Sequence, residues 1–171
     1  DPEQTAALVK SGAICIAYET ITGANGGLPL LAPMSEVAGR MSIQAGAAHL
    51  EKSKGGMGLL LGGVPGVAPA HIVIIGAGVV GTNAMQMAVG TGARVTVLDK
   101  SIDRLRQLDL VYGNRISTVY SNAQSIEEAV LSADLVIGGV LVPGAAAPKL
   151  VSRSLISRMK KGAVVVDVAI D

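Results

Sequence analysis

The apolar positions of this chain fall into short unbroken runs separated by stretches of helical spacing. Residues Ile72-Val73-Ile74-Ile75 are four consecutive β-branched residues, the pattern of a strand buried on both faces. Arg94 to Asp99 predicts a second strand, Ile116 to Tyr120 a third, Leu135 to Gly138 a fourth and Ala163 to Val168 a fifth. Between them, Ser101 to Val111 carries Ile102, Leu105 and Leu108 at helical spacing with Ser101 as cap. Ala123 to Ser132 turns Ile126, Ala129 and Val130 inward, and a short helix is expected around Ser154 to Met159. Alternating strand and helix predict an α/β fold, a Rossmann-type doubly wound parallel sheet with helices on both faces and a ligand at the C-terminal edge of the strands.

The first third of the chain reads differently. Residues 5 to 11 predict the end of a helix stopped by Gly12, and Ala13 to Thr20 a strand, both standing before the nucleotide-type fold and assigned to another domain. A linker-like loop follows over residues 21 to 32. Ser35 is the expected N-cap, with Glu36 in the first turn, of a helix running to about Lys52. Its small residues Ala38, Gly39, Ala45, Gly46 and Ala48 fit either a helix bridging two domains or an ordinary packing helix. The six glycines from Gly55 to Gly66 fit either close backbone approach or a hinge. The chain opens on Asp1-Pro2-Glu3-Gln4 and stops directly after an apolar strand, so both ends read as cut and a longer protein is expected.

The chemistry is concentrated after the first strand. Gly76, Gly78 and Gly81 stand in G-x-G-x-x-G register between a predicted strand and a predicted helix. Gly76 suits the tight turn, Gly78 lets a pyrophosphate approach the backbone, and Gly81 lets the helix pack close to the sheet. The amides that follow Gly78 point at the ligand, and the helix N-terminus carries roughly half a positive charge, so an anion binds there without a basic side chain. Asp99 ends the second strand 18 residues beyond Gly81, near the spacing of about 20 at which a carboxylate reaches adenosine ribose hydroxyls. That carboxylate repels a 2′-phosphate, so NAD is expected over NADP. Lys100 and Arg104 lie near enough to soften the preference.

Composition narrows the picture. Half of the 171 residues are apolar, yet Trp and Phe are absent and the aromatics are Tyr18, Tyr112 and Tyr120, so the core is built from Val, Ile, Leu and Ala. A net charge of +1 without a basic block speaks against nucleic acid. No apolar stretch approaches the about 20 residues that span a bilayer, so no membrane partner is expected. Cys15 is alone in an apolar run and reads as a buried thiol, in keeping with the cytoplasm. No metal site is expected. His49 and His71 read as structural. The loop from Gly139 to Gly144 keeps Val140, Leu141 and Val142 at the end of a strand, the pattern of a surface against a nicotinamide ring or another subunit.

Longer motifs carry a family resemblance. Leu31-Ala32-Pro33-Met34-Ser35-Glu36-Val37-Ala38-Gly39-Arg40, Gly62-Gly63-Val64-Pro65-Gly66-Val67, Ala133-Asp134-Leu135-Val136-Ile137-Gly138-Gly139-Val140-Leu141-Val142-Pro143-Gly144 and Val166-Asp167-Val168-Ala169-Ile170-Asp171 resemble the alanine dehydrogenase family, in its order. The resemblance implies that residues 30–171 form the NAD-binding domain and that residues 1–29 are the tail of the first segment of a substrate domain. It implies Ser35 near the pyrophosphate or nicotinamide side, amides of Val79 and Val80 on the phosphates, Asp99 on the adenosine ribose with Arg104 beside it, and Ser121 at the adenine end. Val140 and Leu141 would border the nicotinamide ribose and ring, with Val168, Ala169, Ile170 and Asp171 approaching the ring. Asp171 matches the catalytic aspartate.

The implied reaction is the reversible conversion of L-alanine, NAD and water to pyruvate, ammonia and NADH, in a cytoplasmic homohexamer. The catalytic histidine and the lysine and arginine that grip the substrate carboxylate would lie upstream of Asp1, so the fragment alone is expected to be inactive. The alternatives are the NAD-binding domain of a proton-translocating transhydrogenase and a non-catalytic NAD-binding module.

Overall fold

The computed structural model describes residues 1–141 and 149–169. The chain divides into two compact units, Asp1–Pro33 and Met34–Asp171.

In the first unit, helix α1 (Pro2–Ser11) starts where its sequence says it should. The Asp1 carboxylate accepts from the amides of Glu3 and Gln4, Pro2 occupies the first turn, and Gly12 closes the helix in a left-handed conformation at φ 67°. The strand expected over Ala13 to Thr20 does not form: residues 13–17 belong to no regular element and Tyr18–Thr20 make a 3₁₀ turn. A strand needs a ladder partner, and residues 1–33 contain no second strand to supply one. Cys15 is correspondingly exposed, not buried, between Ile14 and Ile16, which are also exposed.

The second unit is a five-stranded, wholly parallel sheet. Its strands are β1 (His71–Ile75), β2 (Arg94–Asp99), β3 (Ser117–Tyr120), β4 (Leu135–Gly138) and β5 (Val164–Asp167), in spatial order β3-β2-β1-β4-β5. Every residue of β1 is buried, as its unbroken apolar run requires of a central strand. Alternate residues feed two cores. Ile72, Ile74, Val95, Val97, Leu135 and Ile137 pack with Ile43 and Leu50 and with Ala84, Met85 and Ala88 of helix α3 (Val79–Gly90). Val73, Ile75, Leu98 and Val136 pack on the other face with Ile126 and Val130 of α5 (Ala123–Ser132) and Leu155 of α6 (Arg153–Ile156). Helix α4 (Ile102–Tyr112) adds Leu108 to the first core. These are the expected helices on both faces of a Rossmann-type sheet.

Helix α2 (Ala32–His49) differs at both ends from its expected limits. Ser35 lies inside the helix and is not its cap, because Pro33, whose φ is already helical, allows the helix to start a turn earlier. The helix stops at His49, and Lys52–Lys54 form a separate 3₁₀ turn. Its buried stripe of Gly39, Ser42, Ile43 and Gly46 sits at i, i+3, i+4 and i+7, so its small residues serve close packing. The glycine run is likewise a packed cover at the N-terminal ends of the strands. Gly58 N–H donates to Leu50 O at 2.8 Å, Met57 N–H to Gly162 O at 3.1 Å and Ala70 N–H to Leu61 O at 3.0 Å.

At that same end, His71 opens β1 as a structural residue. Its Nδ1 faces the Ser132 carbonyl at 3.2 Å and its Nε2 the Thr96 hydroxyl at 2.9 Å, so a neutral ring donating from Nδ1 and accepting at Nε2 satisfies both. Asp134 accepts from the His71 amide at 2.7 Å and pairs with Lys160 at 2.7 Å. Burial holds the His71 pKa below its ordinary 6.5, with the Arg94 and Lys160 charges acting the same way and the Ser132 bond and Asp134 charge opposing. The lowered value favours the neutral ring in the folded state. The resulting stability is complete above pH about 6.5 and is lost as pH falls through the lower folded value. Urea midpoints measured from pH 7.5 down to 5.5 should therefore fall more steeply for the wild type than for His71→Gln; parallel curves would refute this assignment.

Candidate functional site

The chain leaves β1 for the β2–β3 side of the sheet and returns through β4 to the other side, so the order reverses between β1 and β4. A crevice is expected at the C-terminal ends of the two strands where the order reverses. Gly76 N–H donates to Leu98 O at 2.8 Å and Gly139 N–H to Ile75 O at 2.9 Å, closing the sheet directly below the turn. Gly76 has φ +98°, which side chains with a Cβ rarely adopt, and a Cβ there would stand 2.9 Å from Val140 Cγ2.

Beyond Gly76 the backbone enters α3. A Cβ at Gly81 would collide with the Gly76 carbonyl oxygen, so the helix sits on the turn at a distance only glycine permits. Gly78, in contrast, has open space in front of it. It is also the N-cap of α3, and among the described residues no side chain caps that end. Helices α1, α4, α5 and α6 each have a side-chain cap, from Asp1, Ser101, Asn122 and Ser152. The amides of Val79 and Val80 thus start a helix whose positive end has no side-chain cap among the described residues, an arrangement that fits a pyrophosphate.

Asp99, at the end of β2, is half-buried. Its Oδ2 accepts from Ala77 N–H at 2.7 Å and its Oδ1 from Ser101 N–H at 2.7 Å. A carboxylate offers about four lone-pair positions, so two remain for sugar hydroxyls. Ser121 is buried after β3 with its amide on Asp99 O at 2.9 Å, which puts it at the same edge. Val168 N–H donates to Gly138 O at 2.9 Å, bringing the end of β5 there as well, with Ala169 N–H on Asp167 Oδ1 at 3.1 Å. Val140 is half-buried behind the turn and Leu141 is exposed. Ser35 lies one turn before Gly39, where a Cβ would collide with the Val80 carbonyl oxygen. Ile170 and Asp171 lie outside the described residues, as do Val142, Pro143 and Gly144 of the apolar loop.

Arg104 occupies a position that spacing does not reveal. Its Nε donates to Ala77 O at 3.0 Å, Nη2 to Thr82 Oγ1 at 2.8 Å and Nη1 to Gln107 Oε1 at 2.9 Å. Ala77 is therefore held at its N–H by Asp99 and at its C=O by Arg104, which fixes both peptides that flank it. Two further residues bind α2 to α3: Arg40 Nε donates to Asn83 Oδ1 at 3.0 Å, and Asn83 Nδ2 returns to Val79 O at 3.0 Å. The available signal was an asparagine and an arginine on otherwise small or apolar helix faces; the pairing across 43 residues was not readable. His49 donates to or accepts nothing at this edge and faces Ala45 O on its own helix at 2.8 Å. Among the described residues no cluster of three His, Cys, Asp or Glu could hold a metal, and no helix is long and apolar enough to cross a membrane.

A parallel sheet with an uncapped glycine turn at its reversal point and a carboxylate one strand away defines a Rossmann-type dinucleotide-fold domain. Residues 42–171 match the family model described as alanine dehydrogenase/PNT, C-terminal domain, and the chain belongs to that family. It is 66% identical over 167 residues to the alanine dehydrogenase of Halomonas elongata, covering 98% of this chain and 45% of that protein. To the alanine dehydrogenase of Mycobacterium tuberculosis strain H37Rv it is 63% identical with the same coverage. A solved L-alanine dehydrogenase superposes with a TM-score of 0.89 at 54% identity, covering 98% of this chain and 46% of the other. A transhydrogenase from Sinorhizobium meliloti follows with a TM-score of 0.78 at 25% identity, covering 99% and 50%. The chain spans about half the length of the curated relatives it matches, and the family implies a nicotinamide cofactor.

The seat of α3 can be tested directly. Gly81→Ala must push the helix off the Gly76 carbonyl, and overpacking of this kind costs about 1–3 kcal/mol. A urea midpoint unchanged from wild type would show that the turn has slack.

Proposed function

We propose that this chain is the NAD-binding part of an L-alanine dehydrogenase, which converts L-alanine, NAD and water reversibly to pyruvate, ammonia and NADH. The observation that carries the reading is the pairing of uncapped α3 amides behind Gly78 with the half-buried Asp99 carboxylate. In this reading Val79 and Val80 donate amides to the pyrophosphate, Gly76, Gly78 and Gly81 admit it to the backbone, and Asp99 accepts from the adenosine ribose hydroxyls. Ser121 closes the adenine end and Arg104 steadies the turn beneath the ribose. Val140 and Leu141 border the nicotinamide ribose and ring, the segment from Val168 through Ala169 and Ile170 to Asp171 serves the nicotinamide, and Ser35 serves the pyrophosphate or nicotinamide side. NAD, when bound, supplies the hydride acceptor. The chain's part is to hold the ring in one orientation and keep water from it.

The relatives extend beyond the matched length, and we assign the grip on the alanine carboxylate to the corresponding part of the intact protein. Residues 1–29 are its substrate-domain tail and residues 30–171 its NAD-binding domain, in a cytoplasmic homohexamer. Asp171 positions the amine or water exchanging at the substrate carbon. The transhydrogenase reading rests on the weaker likeness, 25% identity against 54%.

Three measurements on the intact protein test this. Losing a charge-assisted hydrogen bond costs about 1.5–3 kcal/mol, so Asp99→Ala should weaken NAD about 10- to 100-fold while raising the ratio of NADP to NAD affinity. An unchanged ratio refutes the role of Asp99, and absence of NADH formation from L-alanine by the wild type refutes the activity. Asp171→Asn should lower kcat by about 10²–10⁴-fold with NAD affinity near wild type. Equal loss of both would make Asp171 a binding residue instead.

A further inference from the structure

An arginine close to a ribose-binding carboxylate is the residue best suited to receive a 2′-phosphate, because two parallel N–H groups on one edge of the guanidinium match two phosphate oxygens. On spacing alone Arg104 favours NADP. In the structure the Nε–Nη2 edge is already filled, Nε–H on Ala77 O and Nη2 on Thr82 Oγ1, and Nη1 is on Gln107 Oε1, so three of the five N–H groups are engaged and the guanidinium is anchored at the turn. Thr82 is itself fixed, its hydroxyl donating toward Gly78 O at 2.7 Å, with Ala77 O at 3.1 Å as the second acceptor. The ion pairs of the described residues are Arg106–Asp103, Arg158–Glu127 and Lys160–Asp134, so Asp99 and Arg104 hold the two successive peptides on either side of the Ala77 Cα without pairing with each other. Lys100, beside Asp99, is exposed and is the other cation near the ribose side of the turn.

We propose that Thr82 and Gln107 are specificity-determining residues of the dinucleotide site: they tether the Arg104 guanidinium to the glycine turn and so withhold it from a phosphate on the adenosine 2′ position. Discrimination against NADP then has two parts, repulsion by Asp99 and the tether on Arg104. The inference rests on the dinucleotide reading above. Removing Asp99 alone leaves the tether in place, so its effect on NADP should be incomplete. Removing the Thr82 and Gln107 acceptors as well releases both Nη groups of Arg104 toward a phosphate, with Nε–H still on Ala77 O. Because the tether acts through Arg104, Thr82 and Gln107 are positioning residues, and their effect must vanish when Arg104 is removed.

The test is calorimetric titration of the intact protein with NAD and with NADP at one fixed salt concentration. The background is Asp99→Ser, to which Thr82→Val and Gln107→Leu are added together. The combined variant should raise the NADP-to-NAD affinity ratio at least about tenfold above Asp99→Ser alone, the worth of one charge-assisted hydrogen bond. Adding Arg104→Met should abolish that gain, whereas adding Lys100→Ala should leave it. A ratio moved by less than about twofold, a gain that survives Arg104→Met, or one that disappears with Lys100→Ala overturns the proposal. General loosening of the fold weakens both cofactors together and does not move the ratio. Should the combined variant fail to fold, Asp99→Ser with Gln107→Leu alone, altering an exposed side chain of α4, should still raise the ratio about threefold. No change there overturns the proposal equally. A wild type that binds no NAD refutes the dinucleotide reading itself; a wild type that binds NAD while the ratio stays fixed refutes only the tether.

Discussion

The approach of Gly81 to the Gly76 carbonyl sets the geometry on which the candidate site depends. With any side chain at Gly81, α3 would stand off from the end of β1, and the Val79 and Val80 amides would no longer lead out of the sheet at the reversal point. The same seating brings Thr82 within reach of Arg104 and the Ala77 peptide within reach of Asp99. From the other side, Gly39 of α2 lets its helix rest on the Val80 carbonyl, and the Arg40–Asn83 bond ties the two helices together. The turn is thus braced from β2, α4 and α2 at once, while the face in front of Gly78 stays open.

The two ends of the sheet use polar groups in opposite ways. At the N-terminal end, His71, Thr96, Ser132, Asp134 and Lys160 form a closed network in which each side chain has a partner. Such networks stiffen a fold when complete and are costly when partly made. Among the described residues no buried side-chain nitrogen or oxygen lacks a partner. At the C-terminal end the backbone is arranged so that donors remain, because glycine supplies no cap and no shielding side chain. The closed polar network and the open glycine turn are therefore separated by the length of one strand, and the buried His71 falls on the side of the network.

How much of this could be read from the residues depended on the range of the interaction. The α5 limits, the Ser101 cap and the five strands follow from local pattern, and they appear as expected or within a residue or two of it. The three glycines and Asp99 were legible for the same reason: each meets a constraint set by a backbone conformation or a fixed spacing. The start of α2, the irregular course of residues 13–17 and the exposure of Cys15 were not. An apolar run says that a residue can be buried; whether anything covers it depends on a second segment.

Arg104 shows the same boundary at the site. Its charge and nearness to Asp99 are properties of the sequence, and from them it counts as a cation available to the cofactor. Its three acceptors come from the glycine turn, from α3 and from its own helix, and only the folded chain brings them together. The sequence by itself determined the strand and helix order, the parallel sheet and the glycine turn at the end of β1, since periodicity, glycine and capping act within a few residues. Tertiary structure alone decided which polar groups meet, because hydrogen-bond partners 22 to 63 residues apart are chosen by packing and not by spacing.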